Sequence, residues 1–267
     1  MPLVTFSRWI LGLGLLLLSG PACDSLKDED PDIVVTFTEF TVDLYQQRHP
    51  GTGVPVFGLW IESLKTFDCS NFRIEAVTEI TPGAIAVRLK EINAPDTCRG
   101  NPGPARGFLP IGALADGTYP FTLQLNPAIV NKGTLIVENG RYTLDLPEPL
   151  GVDFQNRILE PFPAGDFVWG YALTPVEADQ PVADQFIQTL KPLTVEPGLA
   201  PGYYGDFTVS GAGQYFFHRS IKPGGEYRAF LRRLVGQPDA LRQVLQTYRN
   251  SPVRPLTIRC LSTLGEW

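Results

Sequence analysis

Residues 71–98 read "NFRIEAVTEITPGAIAVRLKEINAPDTC". On either side of "TPGA", apolar residues alternate with polar ones: Ile74, Ala76, Thr78 and Ile80 before the turn, Ile85, Val87 and Leu89 after it. A period of two around a Pro-Gly turn predicts an antiparallel hairpin. With Ile80 facing Ile85, Thr78 pairs with Val87, Ala76 with Leu89, and Glu75 with Lys90 in a favourable cross-strand charge pair. Beyond Leu89 the alternation slips by one, because Ile92 rather than Glu91 should face inward, so a β-bulge is expected near Lys90 and Glu91. The slip leaves Cys69 and Cys98 almost opposite one another, just past the strand ends. A disulfide there closes about 30 residues and contributes roughly 3 to 4 kcal/mol. A redox or metal role for the pair has no CxxC spacing and no nearby histidine behind it.

Outward from the hairpin the same grammar repeats. "DIVVTFTEF", "VPVFGLWIES", "RGFLPI", "YPFTLQLN", "KGTLIVEN" and "RYTLDL" are short, rich in β-branched and aromatic residues, and bounded by Gly, Pro and Asn turns. About eight such strands over residues 33–155 predict an antiparallel β-sandwich. In "LADGTYPF", Tyr119 stands two residues after Gly117 and resembles the tyrosine corner of immunoglobulin-like sandwiches, in which the ring hydroxyl bonds to upstream backbone.

From residue 164 the pattern changes. "FVWGYAL" reads as a strand, and "TPVE" has the form of a capping box on Thr174, Pro175 and Glu177, with Pro181 restarting the helix. Ala183, Phe186, Ile187 and Leu190 recur at helical spacing. "YYGDFTV" and "QYFFH" then form a hairpin over "SGAG"; Tyr227, Phe230, Leu231 and Leu234 form one helical stripe, and Leu241, Val244, Leu245 and Tyr248 another. The closing strand is "PLTIRCL". The order βαββαβ predicts a ferredoxin-like α+β domain over residues 164–267. It is also similar to peptidoglycan-binding SPOR modules, apart from a longer gap between the first two strands.

Alternation on these strands assigns faces. Val168, Gly170 and Ala172 suit the face under the helices, together with Leu256, Ile258 and Cys260, so Cys260 is expected as a buried free thiol. Trp169, Tyr171 and Arg259 point the other way, with Tyr215 and Phe217 beside them. Such a face is either an exposed platform for a glycan or protein ligand or a surface packed against the first domain.

The first residues carry the expectation about location. Trp9 to Gly20 is an apolar tract of about 12 residues, short of the roughly 20 that span a bilayer as a helix. Arg8 precedes it, and Gly20 and Ala22 lead to Cys23. This layout resembles the signal of bacterial lipoproteins, although in "GPAC" Gly20 replaces the usual Leu. The resemblance implies a signal peptide over residues 1–22, cleavage before Cys23 and acylation there, making an outer-membrane lipoprotein of the cell envelope, facing the periplasm or the surface. "DSLKDED", within a tether at residues 23–32, resembles the acidic export tether of Bacteroidetes surface lipoproteins. The plan of anchor plus sandwich resembles lipoproteins of glycan-uptake systems.

The composition narrows the chemistry. Of 267 residues, 28 are acidic and 22 basic, so no phosphate backbone finds an electrostatic footprint and no nucleic-acid partner is expected. No GxSxG elbow, HExxH, P-loop or helix-opening GxGxxG occurs, which leaves no cofactor motif. His49 and His218 are the two histidines, each without a second ligand in sequence reach. A glycoside hydrolase needs only two carboxylates, and Asp153, Glu160, Asp166, Glu177 and Asp206 are the candidates. The expectation is a non-catalytic envelope protein that binds a glycan or a partner protein, with a purely structural role as its rival.

Overall fold

The computed structural model describes residues 37–48, 55–174, 179–218, 226–252 and 256–267; the leader, Cys23 and the acidic tether lie outside them. The chain is mainly β. Its first part comprises β1 (Phe40–Arg48), β2 (Pro55–Phe67), β3 (Arg73–Thr81), β4 (Ala84–Asn93), β5 (Gly103–Gly112), β6 (Gly117–Gln124), β7 (Val130–Glu138), β8 (Arg141–Asp145), β9 (Val152–Asn156) and β10 (Ile158–Leu159). They form one 10-stranded sheet in the order β10-β8-β7-β6-β4-β3-β5-β2-β1-β9. Five strands separate β2 from β8 in that order, yet Phe57 of β2 stacks on Tyr142 of β8 at 3.9 Å. The sheet therefore bends over on itself, and the alternating Val42, Leu44, Leu59, Ile61, Val87 and Leu123 fill the interior.

The β3–β4 hairpin keeps the predicted register. Ile80 faces Ile85, Thr78 faces Val87 and Ala76 faces Leu89, after which the register shifts and Ile74 faces Ile92. Lys90 is the extra residue, so the expected Glu75–Lys90 pair does not form and Glu75 stands opposite Glu91. Past the strand ends Cys69 and Cys98 form the disulfide, with Cα atoms 5.6 Å apart. The sheet is mixed rather than purely antiparallel: β1 pairs with β9, β3 with β5 and β4 with β6 in parallel. Strand patterns reveal length and facing, and do not reveal which neighbour a strand chooses.

The second part has β11 (Phe167–Leu173), α1 (Gln180–Leu190), a 3₁₀ turn at Lys191–Leu193, β12 (Thr194–Val195), β13 (Gly202–Tyr203), β14 (Phe207–Val209), β15 (Tyr215–Phe217), β16 (Tyr227–Leu234), α2 (Pro238–Arg249), β17 (Thr257–Ser262) and β18 (Gly265–Glu266). Five strands form an antiparallel sheet in the order β12-β16-β11-β17-β18. Helix α1 starts at Gln180 with a proline in its first turn, as Pro181 predicts, and Asp179 at its N-cap makes no side-chain cap bond. Pro175 and Glu177 of the predicted capping box lie outside the described residues.

Two assignments need correction. Tyr227–Leu234 is a strand, not a helix. Phe230 packs under the helices and Leu231 on the opposite face, so both sides of this central strand are buried. Such a strand loses the alternation that marks a half-buried one, and periodicity alone cannot tell it from a helix. "YYGDFTV" and "QYFFH" do join over "SGAG", but with Gly202–Tyr203 they form a separate three-stranded sheet, β13-β14-β15. Their places in the larger sheet belong to β12 and β16.

The predicted faces hold. Val168, Ala172, Leu256, Ile258 and Cys260 share one core with Phe186, Leu241 and Leu245 of the helices. Cys260 is a buried free thiol, and burial pushes its pKa up to about 12, which keeps it protonated and inert. On the other face Phe167, Trp169 and Leu231 form a second core with Tyr204, Phe207 and Val209 of the three-stranded insertion and its approach. The insertion also meets the outer face of β1 and β2, and the described residues belong to one compact unit.

Candidate functional site

Strand alternation sends Val42 and Leu44 of β1 into the core of the ten-stranded sheet and turns Asp43 and Tyr45 outward. In β2, Leu59 and Ile61 point in while Trp60 and Glu62 point out. The insertion covers this outer face, and the groups it covers are polar. Asp206, in the tight turn between β13 and β14, is the centre of the contact. Its carboxylate accepts a hydrogen bond from the Tyr45 hydroxyl at 2.9 Å and another from the Trp169 indole Nε1 at 3.0 Å. One acid thus ties β1 to β11 across the insertion. Gly205 at φ +89° lets the turn lie against the Tyr45 ring.

Tyr45 separates two recesses. The first, about 30 Å³, is lined by Asp43, Trp60, Glu62, Gln155, Tyr203 and His218 among others. That volume suits one or two waters and no sugar ring. Asn156 donates its backbone and side-chain N–H groups to Asp43 Oδ1 at 2.9 and 2.8 Å, yet burial outweighs these bonds and holds the Asp43 carboxyl above its ordinary 3.8. Glu62 pairs with Arg106 at 2.7 Å. His218 Nε2 lies 2.7 Å from Thr208 Oγ1, and its ring meets Tyr203 edge-on at 5.0 Å. Burial lowers the His218 pKa below 6.5, against the pull of Asp43 and Asp206. Burial raises the phenols of Tyr45 and Tyr203 well above 10, so both stay neutral donors.

The second recess, about 110 Å³, is lined by Gln46, Gln47, Trp169, Asp206, Arg259 and Glu266 among others. Arg259 Nε stands 3.5 Å from Glu266 Oε1. Of the three expected ligand residues, the structure brings Trp169 and Arg259 together here. Tyr171 lies one step further along the same face, paired in register with Arg259 and edge-on to Tyr227 at 6.2 Å. Trp169 is not an exposed platform: it is 4% exposed, stacked on Phe162 and held by Asp206, because the insertion covers it. Tyr215 and Phe217 join the same buried cluster from β15.

The candidate acids that the structure describes have separate surroundings, with Asp166 half-buried just before β11. Asp153 is exposed on β9, Glu160 is bound by Arg141, Asp206 is engaged as described, and Glu177 lies outside the described residues. His49 also lies outside them. Sequence reasoning passed over Asp43, Tyr45, Trp60 and Glu62. The signal that could have found them is a tryptophan and three polar groups at the positions that strand alternation assigns to solvent.

His218 sets a pH dependence. Its native pKa is lowered, so below 6.5 the unfolded chain binds a proton that the native chain resists, and stability is lost as pH falls from 6.5 through the lowered value. Asp43 acts in the opposite sense: its raised pKa means that its burial cost fades as pH drops toward 3.8. Urea midpoints measured from about pH 7.5 to about pH 5 should fall more steeply in the wild type than in His218→Gln. Parallel profiles would remove His218 as the source.

Comparison with protein-family models, with curated proteins and with solved structures finds no match to this chain.

Proposed function

We propose that this is a lipid-anchored cell-envelope protein, acylated at Cys23, that works by binding and not by catalysis, and that its ligand is a glycan received between Trp169, Arg259 and the glutamines of β1. The observation that carries this reading is the 110 Å³ recess itself, which has an indole edge and a tyrosine as apolar wall and amide, carboxylate and guanidinium groups converging on it. Few polar groups set against an aromatic wall make the usual pattern of a small-ligand site. Planar amides and guanidinium forks suit the paired hydroxyls of a sugar, and a recess of this size takes one terminal residue rather than a long chain.

The architecture is read as an immunoglobulin-like sandwich followed by a ferredoxin-like layer. Supporting the first is the Tyr119 hydroxyl, which donates to the Ala115 carbonyl four residues upstream at 2.8 Å, as a tyrosine corner does; the parallel pairs are its departure. Supporting the second is the run β11, α1, β12, β16, α2, β17 with β16 and β11 between β12 and β17. The three-stranded sheet is then an insertion between the second and third strands of that layer.

A soluble-glycan array probed with the chain from residue 24 onward tests the assignment. Arg259→Ala and Gln47→Ala should each weaken binding by about tenfold, the loss of one hydrogen-bonded contact of 1 to 1.5 kcal/mol. Equal signals from wild type and both variants would exclude the recess as the ligand site.

A further inference from the structure

Beside the disulfide, far along the chain from the Trp169 recess, an open groove of about 500 Å³ is lined by Asn71, Arg73, Glu75, Asn93, Asp96 and Arg99 among others. Its walls are fixed. The Cys69–Cys98 bond ties the two lining segments together beside the groove, Asn71 Nδ2 donates to the Thr97 carbonyl at 2.8 Å, and the Arg99 backbone N–H donates to Asn71 Oδ1 at 3.0 Å. A ligand entering it pays little for ordering the loop.

The four charged side chains in this groove are not paired with one another. Among the described residues, Arg73, Glu75, Asp96 and Arg99 make no side-chain hydrogen bond or ion pair. The register adds a second oddity. The bulge takes Lys90 out of pairing and sets Glu75 opposite Glu91, a like-charge opposition that costs stability unless a cation relieves it. A purely anionic ligand would meet Glu75 and Asp96 here, and a purely cationic one would meet two guanidinium groups, so the lining favours a ligand that carries both signs.

We infer that this groove binds a dipolar ligand, a short peptide with a free amino group and a free carboxylate, with the carboxylate on Arg73 and Arg99 and the ammonium group beside Glu75. The inference is independent of the glycan recess, since no lining residue is shared between the two.

Trialanine tests it, in three forms: free, N-acetylated and C-amidated. Titrated into the ¹⁵N-labelled chain, the free form should shift the backbone amides of Asn71, Arg73, Asn93 and Arg99. Each capped form should bind about tenfold more weakly, for loss of one charge-assisted contact. The variant R73A/R99A should abolish the free peptide's shifts while leaving the amide spectrum outside the groove unchanged. Absence of shifts with free trialanine, or equal shifts from all three forms, would overturn the proposal without reference to any variant.

Discussion

Asp206→Ala should destabilise the chain by about 3 to 5 kcal/mol, because it leaves two buried donors without an acceptor at once. Asp206 is 5% exposed and receives both the Tyr45 hydroxyl and the Trp169 indole N–H. An indole can only donate, so without the carboxylate its N–H is orphaned inside the aromatic cluster. Asp206→Asn should behave differently. The amide oxygen can accept from Trp169, and the amide nitrogen can donate to Tyr45, whose hydroxyl also accepts; the cost falls to about 1 kcal/mol. Urea unfolding of wild type and the two variants decides this. Equal losses for Ala and Asn would mean that charge, and not hydrogen-bond donor balance, holds the insertion to the two sheets.

That contact shows where sequence reading succeeds and where it stops. The β3–β4 register, its bulge and the disulfide were legible because they are local: period two, one turn and one slip in the alternation determine them. The faces of β11 and β17 were legible for the same reason, and Cys260 lies where the alternation puts it. β16 was not legible, because burial on both faces erases the signal that alternation depends on. The Trp169 face was correctly grouped, but whether it meets solvent depends on what covers it. Its cover is a three-stranded sheet whose hairpin was marked by the "SGAG" loop, while the surface that the hairpin packs on was marked by nothing in its spacing. The same cover turns Asp43, Tyr45, Trp60 and Glu62 from expected surface residues into the wall of a cavity. These are long-range events, and one chain's spacing does not encode them.

Gly170→Ala should cost about 4 kcal/mol or more, combining backbone strain with overpacking. Gly170 sits in the middle of β11, between Phe230 of β16 and Cys260 of β17, at φ +152°. A Cβ there would lie 1.9 Å from the Arg259 carbonyl oxygen and 2.9 Å from its carbon. Both are backbone atoms, so no rotamer change relieves the clash, and β17 itself must move away from β11. The displacement would fall on Arg259, whose side chain lines the 110 Å³ recess, so any glycan binding proposed for that recess should fail together with stability. Gly83→Ala in the "TPGA" turn is the control: nothing lies within 4 Å of its Cβ, and the substitution should leave stability unchanged or raise it by about 0.4 to 1 kcal/mol through the unfolded chain. If Gly170→Ala unfolds at the wild-type urea midpoint, then β11 and β17 tolerate a wider spacing, and Arg259 does not owe its position in the recess to the missing side chain at residue 170.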